Sequence, residues 1–195
     1  LAPYQVEFPL EVFSSFVGTH GSEFDVYLER QAGAQADLQT VKRIASERHR
    51  EKIKQMDARE GVREFLAEAK AGGLRIGLAS SSDRKWVEGF LRELELLPYF
   101  EVVKTQDDVA KVKPDPELYL QALEALNVRP DEALAFEDSA AGAKAAKAAG
   151  MHCVIVPNPV TEHLLFDDYD LRIESMAKHT LTEIIGIFRV GQKGG

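Results

Sequence analysis

Residues 134–150 have the sequence "LAFEDSAAGAKAAKAAG", which places a short apolar run, two adjacent acids and a serine directly before an alanine-rich helix. This order is typical of a buried strand that ends where a helix begins. The small side chains of such a helix let it lie close to a sheet. Because the carboxylates of Glu137 and Asp138 repel each other, either they cap the helix or a cation lies beside them.

Strand and helix patterns alternate on both sides of this stretch, from residue 74 to residue 156. The runs of strand length are apolar throughout and read LRIGLAS, FEVVK, ALAF and HCVIVP. Such runs are typical of a parallel sheet that is covered by helices on both faces. With short right-handed connections, the pattern predicts an α/β fold with a Rossmann-like parallel sheet at its core.

The chain divides into two regions at about residue 57. Residues 1–57 contain helical patterns, one of them highly charged, and no convincing strand. We therefore expect a small helical cap domain over residues 1–57 and an α/β core domain over residues 58–195.

Composition excludes several functional classes. The net charge of −8 argues against a general nucleic-acid binder, because phosphate backbones require a positive surface. No run approaches the ~18 apolar residues that a membrane span needs, and the first residues do not resemble a signal peptide. Cys153 is the single cysteine, so a disulfide framework is impossible. We expect a cytoplasmic protein with no membrane partner, and the oligomeric state stays open.

Polar residues follow three of the predicted strands. Ser80 and Ser81 follow the first strand, Lys113 follows the second after a loop, and Glu137 and Asp138 follow the third. Because ligands of open parallel sheets bind beyond the carboxyl ends of the strands, we expect these groups to converge on one edge.

Each of these residues also has a simpler interpretation. Ser82 or Asp83 can cap the next helix, and Asp138 or Ser139 can do the same for the alanine-rich helix. Lys113 taken alone is typical of a solvated surface lysine.

The combination favours phosphoryl chemistry over these separate roles. Two carboxylates suit a hard cation with oxygen ligands, Mg²⁺ above all. A lysine and a hydroxyl suit a phosphoryl group, because the ammonium offsets its charge and the hydroxyl donates a hydrogen bond. Mg²⁺, lysine and hydroxyl together are typical of phosphoryl transfer.

Three motifs in order resemble those of the haloacid dehalogenase superfamily. "IGLASSS", "KVKPDP" and "FEDSAAGAKAAKAAGM" look like its second, third and fourth motifs, and the forms KPDP and EDSxxG are similar to its β-phosphoglucomutase-like phosphatase subgroup. The resemblance implies that Ser80 and the Ser81 backbone N–H bind the transferring phosphoryl group and that Lys113 bridges nucleophile and phosphate. It also implies that Asp138 binds Mg²⁺ and that Glu137 acts on the metal directly or through water.

The first motif of that superfamily, Asp-x-Asp-Gly-Thr, is absent from the sequence. Members of the superfamily carry it on a central strand, which here belongs between the strands at 74–80 and 133–136. The resemblance therefore implies a gap in the core. We expect that strand a few tens of residues upstream of Leu1; the less favoured alternative is that another segment or chain fills the gap.

The loop "FVGTHGSEF" at residues 16–24 bears on the substrate. It lies where the mutases of the subgroup place a basic residue for a second phosphate, and it offers Thr19 and His20 but no arginine. This favours hydrolysis over a mutase, although the loop is also typical of a simple turn.

The resemblance thus implies a Mg²⁺-dependent phosphohydrolase that acts on a small phosphorylated metabolite through an aspartyl-phosphate. A sugar phosphomutase on the same scaffold is one alternative. A non-catalytic binding protein is the other, if the natural chain lacks the nucleophile motif.

Overall fold

The computed structural model describes residues 56–191, the helix at 21–32 and the single residues 12, 37, 39, 40, 43 and 47. The strands in these ranges are β1 (Gly77–Ala79), β2 (Val102–Lys104), β3 (Leu134–Glu137), β4 (His152–Ile155) and β5 (Leu171–Arg172). The α-helices are α1 (Gly21–Ala32), α2 (Val62–Ala71), α3 (Arg84–Glu93), α4 (Glu117–Leu126), α5 (Ala140–Ala148) and α6 (Leu181–Gly191).

All strand pairs are parallel, and they form two separate sheets. β1 pairs with β2, whereas β4 lies between β3 and β5. Leu134 is opposite His152 and Glu137 is opposite Ile155, so β3 and β4 end at the same edge. The predicted α/β fold with a parallel core is confirmed.

β1 and β3 do not pair with each other, and in the described part of the chain no strand lies between them. A cavity of about 1210 Å³ separates the two sheets and is lined by side chains of both, such as Leu78 of β1 and Phe136 of β3. The cavity lies where the sequence predicts a gap.

Helices cover both faces of the larger sheet. Cys153 and Ile155 pack in a cluster with α4 and α5, and Val154 and Val156 pack in another with α2 and α6. Consecutive residues of a strand point to opposite faces, and Cys153, Val154, Ile155 and Val156 are all buried. This double burial explains why HCVIV has no polar alternation.

The helix starts distinguish between the alternative cap residues. Asp83 caps α3, because its carboxylate accepts a hydrogen bond of 2.8 Å from the backbone N–H of Trp86. Ser139 caps α5 by accepting one of 3.0 Å from the N–H of Gly142. Asp138 is therefore not the residue that caps α5.

The expected cap domain is described only in part. α1 lies within residues 1–57, and the boundary near residue 57 stays a prediction. Among the described residues, no helix combines the length and the apolar character that a membrane crossing requires.

A salt bridge fastens the start of β5 to α5. Asp170 accepts 2.7 Å hydrogen bonds from Lys147 Nζ and from the backbone N–H of Cys153. Burial acts to raise the pKa of this carboxyl, but the two hydrogen bonds together lower it below its usual value. Its stabilising contribution is therefore present above the usual aspartate pKa and is lost as the pH falls through the lowered one.

We expect Asp170→Asn to lower the free energy of unfolding by about 1 kcal/mol at pH 7, because the amide loses the ion pair. Urea unfolding at pH 7 and at pH 3 measures the effect, which shrinks at the lower pH. Asp167→Asn, an exposed neighbour in the same loop, is the control. An equal loss at both pH values contradicts the assigned role of the charge.

Candidate active site

Lys113 joins the carboxyl ends of the two sheets. Its Nζ donates a 2.8 Å hydrogen bond to the carbonyl of Ala79, the last residue of β1, and forms a salt bridge with Glu137, the last residue of β3. The residue is only 7% exposed, so the simpler interpretation as a solvated lysine is wrong. A buried ammonium at this point places a positive charge in the lining of the cavity.

The loop before α4 holds Lys113 in place. The Glu117 carboxylate accepts hydrogen bonds from the backbone N–H groups of Ala110 (3.1 Å) and Lys111 (3.0 Å). The Asp115 N–H donates to the carbonyl of Val112 at 3.1 Å. These hydrogen bonds fix the loop from which the Lys113 side chain extends to the ends of β1 and β3.

Three protein groups donate to the Glu137 carboxylate. Oε1 accepts from Lys113 and from the Tyr119 hydroxyl, and Oε2 accepts from the Ser139 hydroxyl at 3.3 Å. Burial, followed by the charge of Glu137, raises the pKa of Tyr119 well above its usual value, so the phenol stays protonated and donates. The primary contact of Glu137 is thus the lysine, and its predicted role at the metal stays a prediction.

Gly142 of α5 lies against this carboxylate. A Cβ at this position would overlap both oxygens of Glu137. The carboxylate cannot move away without losing its bonds to Lys113, Tyr119 and Ser139. The lack of a side chain at Gly142 therefore leaves the space that the Glu137 carboxylate occupies.

We expect Gly142→Ala to destabilise the fold by about 1–3 kcal/mol, as overpacking does, although alanine is the better helix former. Gly89→Ala is the matched control, since a Cβ in that α3 position has nothing within 4 Å. Urea unfolding of both variants measures the difference. Equal or greater stability of Gly142→Ala relative to the control contradicts this packing.

Asp138 begins the turn after β3 and is half-buried. Burial raises the pKa of its carboxyl and the charge of Glu137 raises it further, which outweighs the lowering by the hydrogen bond from Asn158. Asn158 Nδ2 donates to Asp138 Oδ2 at 2.9 Å. Two neighbouring carboxylates in a partly desolvated place favour a cation near them.

Ser80 follows β1 directly. Its backbone N–H donates to the carbonyl of Lys104 at 2.9 Å, which continues the pairing of β1 with β2, and its Oγ accepts from the N–H of Ser82 at 3.1 Å. Since the hydroxyl accepts in this bond, its proton is left to donate to a ligand.

Five of the predicted site residues line the one cavity between the sheets, namely Ser80, Ser81, Lys113, Glu137 and Asp138. Because Lys113 contacts the last residues of β1 and β3, these groups lie at the carboxyl edge of the two sheets, as expected. Thr19 and His20 lie outside the described residues. The roles of all seven residues stay predictions.

Three residues at this edge are absent from the sequence-based set. Asn158 contacts Asp138, Tyr119 contacts Glu137, and Arg59 donates 2.8 Å hydrogen bonds to the carbonyls of Val156 and Pro157. Asn158 follows the end of β4, so the rule that directs attention to strand ends could have found it. Tyr119 has the spacing of a core residue, and its hydroxyl contact is not visible in a helical pattern.

The described protein groups supply a partial ligand set for a metal. Within the described ranges, no group of three or more His, Cys, Asp or Glu residues could hold an ion. Mg²⁺ is usually bound by one or two carboxylates and completes its shell with waters and substrate phosphate. Asp138 is suited to such a site, because Oδ1 has no hydrogen-bond partner among the described residues.

Comparisons with known proteins agree with this geometry. The family profile described as "Haloacid dehalogenase-like hydrolase" matches residues 1–156. YhcW of Bacillus subtilis is 49% identical over 178 residues, which are 91% of this chain and 81% of that protein. The phosphorylated carbohydrates phosphatase of Thermotoga maritima is 41% identical over 110 residues, which are 56% of this chain and 51% of that protein.

A solved structure extends the agreement to three dimensions. The crystal structure of CbbY from Rhodobacter sphaeroides in complex with phosphate has a TM-score of 0.78 and 29% identity, and it covers 93% of this chain and 85% of its own. The profile match, the identity to YhcW and this superposition confirm the resemblance that the three motifs predict. The chain belongs to the haloacid dehalogenase-like hydrolase family.

Proposed function

We propose that the protein is a Mg²⁺-dependent phosphatase that hydrolyses a small phosphorylated metabolite through an aspartyl-phosphate. The observation that carries the proposal is the buried Lys113 ammonium, which lines a cavity that also has Ser80 and Asp138 in its lining. A fixed cation, a free hydroxyl proton and a carboxylate are the groups that phosphoryl transfer needs at one place. The names of the Thermotoga phosphatase and of the CbbY complex with phosphate support this chemistry.

In this proposal each side chain has a separate task. Ser80 donates its hydroxyl proton to a phosphoryl oxygen, with the Ser81 N–H beside it. Lys113, held by Glu137 and Tyr119, offsets negative charge between the attacking oxygen and the phosphoryl group. Asp138, with Glu137 behind it, would hold Mg²⁺, and the bound ion would supply positive charge to neutralise and orient the phosphoryl group.

The nucleophile is proposed to be an aspartate on a further strand between β1 and β3. The support is physical, because both strands have an unpaired edge toward the cavity in the described structure and apolar side chains line it. A strand there would join the two sheets into one and bring its carboxyl end beside Lys113 and Ser80. Water would then hydrolyse the aspartyl-phosphate.

Residues 1–57 are proposed to form a helical cap that closes over this edge and excludes bulk water. The family profile and the CbbY superposition support the assignment, since both extend over most of the chain. Thr19 and His20 are proposed to contact the part of the substrate away from its phosphate.

The buried free thiol of Cys153 is consistent with a cytoplasmic location.

Phosphate release from a panel of sugar phosphates and short phosphorylated acids tests the function, with the protein as its gene encodes it. We expect release with Mg²⁺ and none after chelation by EDTA, and activity returns when Mg²⁺ is added again. Conversion of a hexose 1-phosphate to the 6-phosphate without phosphate release would identify a mutase instead. Binding of these compounds with no turnover under any metal would identify a non-catalytic protein.

A further inference from the structure

Asn158 connects the loop after β4 to the proposed metal ligand. Its Nδ2 donates a 2.9 Å hydrogen bond to Oδ2 of Asp138. β4 is the neighbour of β3, and the two strands are in register to their ends, so this loop lies directly beside the turn that begins with Asp138.

The orientation of the amide is determined by the loop itself. Asn158 Oδ1 accepts hydrogen bonds from the backbone N–H groups of Val160 (2.8 Å) and Thr161 (3.2 Å). The Asn158 N–H in turn donates to Oγ1 of Thr161 at 3.1 Å, and Thr161 is fully buried. A flipped amide would direct its NH₂ group at two N–H donors, so only the observed orientation is stable.

The two halves of this amide therefore have different tasks. The carbonyl half organises the turn at residues 158–161. The NH₂ half makes no hydrogen bond within that turn, and among the described residues it donates to Asp138 alone. The turn alone requires only the carbonyl oxygen of this side chain, so it does not account for the NH₂ group.

The contact places a hydrogen bond on Oδ2 of Asp138, whereas Oδ1 has no hydrogen-bond partner among the described residues. Because the amide competes with a cation for the lone pairs of Oδ2, the carboxylate presents Oδ1 more readily than Oδ2. Mg²⁺ demands near-octahedral geometry with six ligands, whereas Ca²⁺ accepts six to eight and often takes both oxygens of one carboxylate. Competition from Asn158 at Oδ2 therefore penalises the larger ion more than the smaller one.

We propose that Asn158 is a positioning residue that restricts Asp138 to one-oxygen coordination and thereby favours Mg²⁺ over Ca²⁺ at this site. The inference rests on the proposed function, because it takes Asp138 as the metal ligand. It assigns to the loop after β4 the selection of the ion.

Isothermal titration calorimetry with MgCl₂ and with CaCl₂ tests the inference at one pH and ionic strength. The proteins compared are the wild type, Asn158→Ala, Thr161→Val and Asp138→Asn. Asn158→Ala is expected to weaken Mg²⁺ binding by about 10-fold, as loss of a hydrogen-bonding partner behind a ligand does. Its Ca²⁺ affinity stays equal or rises, so the ratio of the two affinities falls about 10-fold.

Thr161→Val is the matched control. It removes the hydroxyl that anchors the Asn158 N–H and disturbs the turn, but it keeps the amide and its bond to Asp138. We expect it to lose stability in urea while the Mg²⁺ to Ca²⁺ ratio stays at the wild-type value.

The failures of the two proposals are distinguishable. An unchanged ratio in Asn158→Ala, or an equal change in Thr161→Val, overturns the role of Asn158. Wild-type binding of both ions by Asp138→Asn, or no binding of either ion by the wild type, overturns the metal site on which the proposed function depends.

Discussion

Replacement of Lys113 by alanine lowers the turnover number for a phosphate monoester by about 10³-fold or more, the loss that follows removal of a preorganised group from a phosphoryl or acyl transfer site. The ammonium is buried between the Ala79 carbonyl and the Glu137 carboxylate, and alanine cannot supply a charge at this position. Steady-state phosphate release with saturating Mg²⁺ measures the effect.

The fold requires its own measurement in this variant. Loss of the ammonium leaves Glu137 as a buried, unpaired charge, which destabilises proteins by about 3–5 kcal/mol. The double variant Lys113→Ala with Glu137→Gln removes that charge and is expected to stay folded in urea titrations while remaining inactive. Lys111→Ala, an exposed lysine two residues away, is the control and keeps wild-type turnover. Activity in a folded double variant would refute the role of the lysine.

Asp138→Asn is expected to weaken Mg²⁺ binding by more than about 100-fold. Loss of a residue that only hydrogen-bonds to a metal ligand costs up to about 100-fold, and loss of the ligand itself costs more. The asparagine keeps the shape of the side chain, and its carbonyl can accept the hydrogen bond that Asn158 donates. Its NH₂ group then occupies the position of Oδ1 and has no lone pair to offer a cation. Calorimetric titration with MgCl₂ and the Mg²⁺ dependence of turnover measure the loss.

The raised pKa of Asp138 adds a pH dependence to this prediction. A carboxyl whose pKa is above its usual value retains its proton to a higher pH, so Mg²⁺ affinity declines as the pH falls through that raised pKa. The stability of the metal-free protein changes in the opposite direction with pH. The stability that is linked to the retained proton is lost as the pH rises through the same pKa. Asp168→Asn, which is exposed and changes the net charge equally, is the control. Wild-type Mg²⁺ dependence in Asp138→Asn would show that the site is misplaced.

The elements of the core were predictable because their signals are local. The apolar run before the acids is β3, and the alanine-rich segment is α5. α5 ends at Ala148, two residues before Gly150, whose φ of 82° lies outside the helical range. Such a boundary depends on backbone geometry that composition does not specify.

Contacts between distant segments were not predictable in this way. Glu137 is adjacent to Asp138 in the sequence, which predicts that both carboxylates act on the metal. In the structure, Glu137 pairs instead with a lysine 24 residues away and a tyrosine 18 residues away. Asn158 reaches Asp138 across 20 residues. Neither contact can be predicted from the spacing of residues along the chain, because each depends on which strands end at the same edge of the sheet.

Residue order and type were enough to establish the parallel α/β core, the family and the set of groups on one edge of the sheet, because periodic apolar runs and short motifs are properties of neighbouring residues. Folding in three dimensions decided which of those groups face one another: the pairing of Lys113 with Glu137, the space that Gly142 leaves, the amide behind Asp138 and the cavity between β1 and β3. These features follow from packing and desolvation among segments that are far apart in the chain.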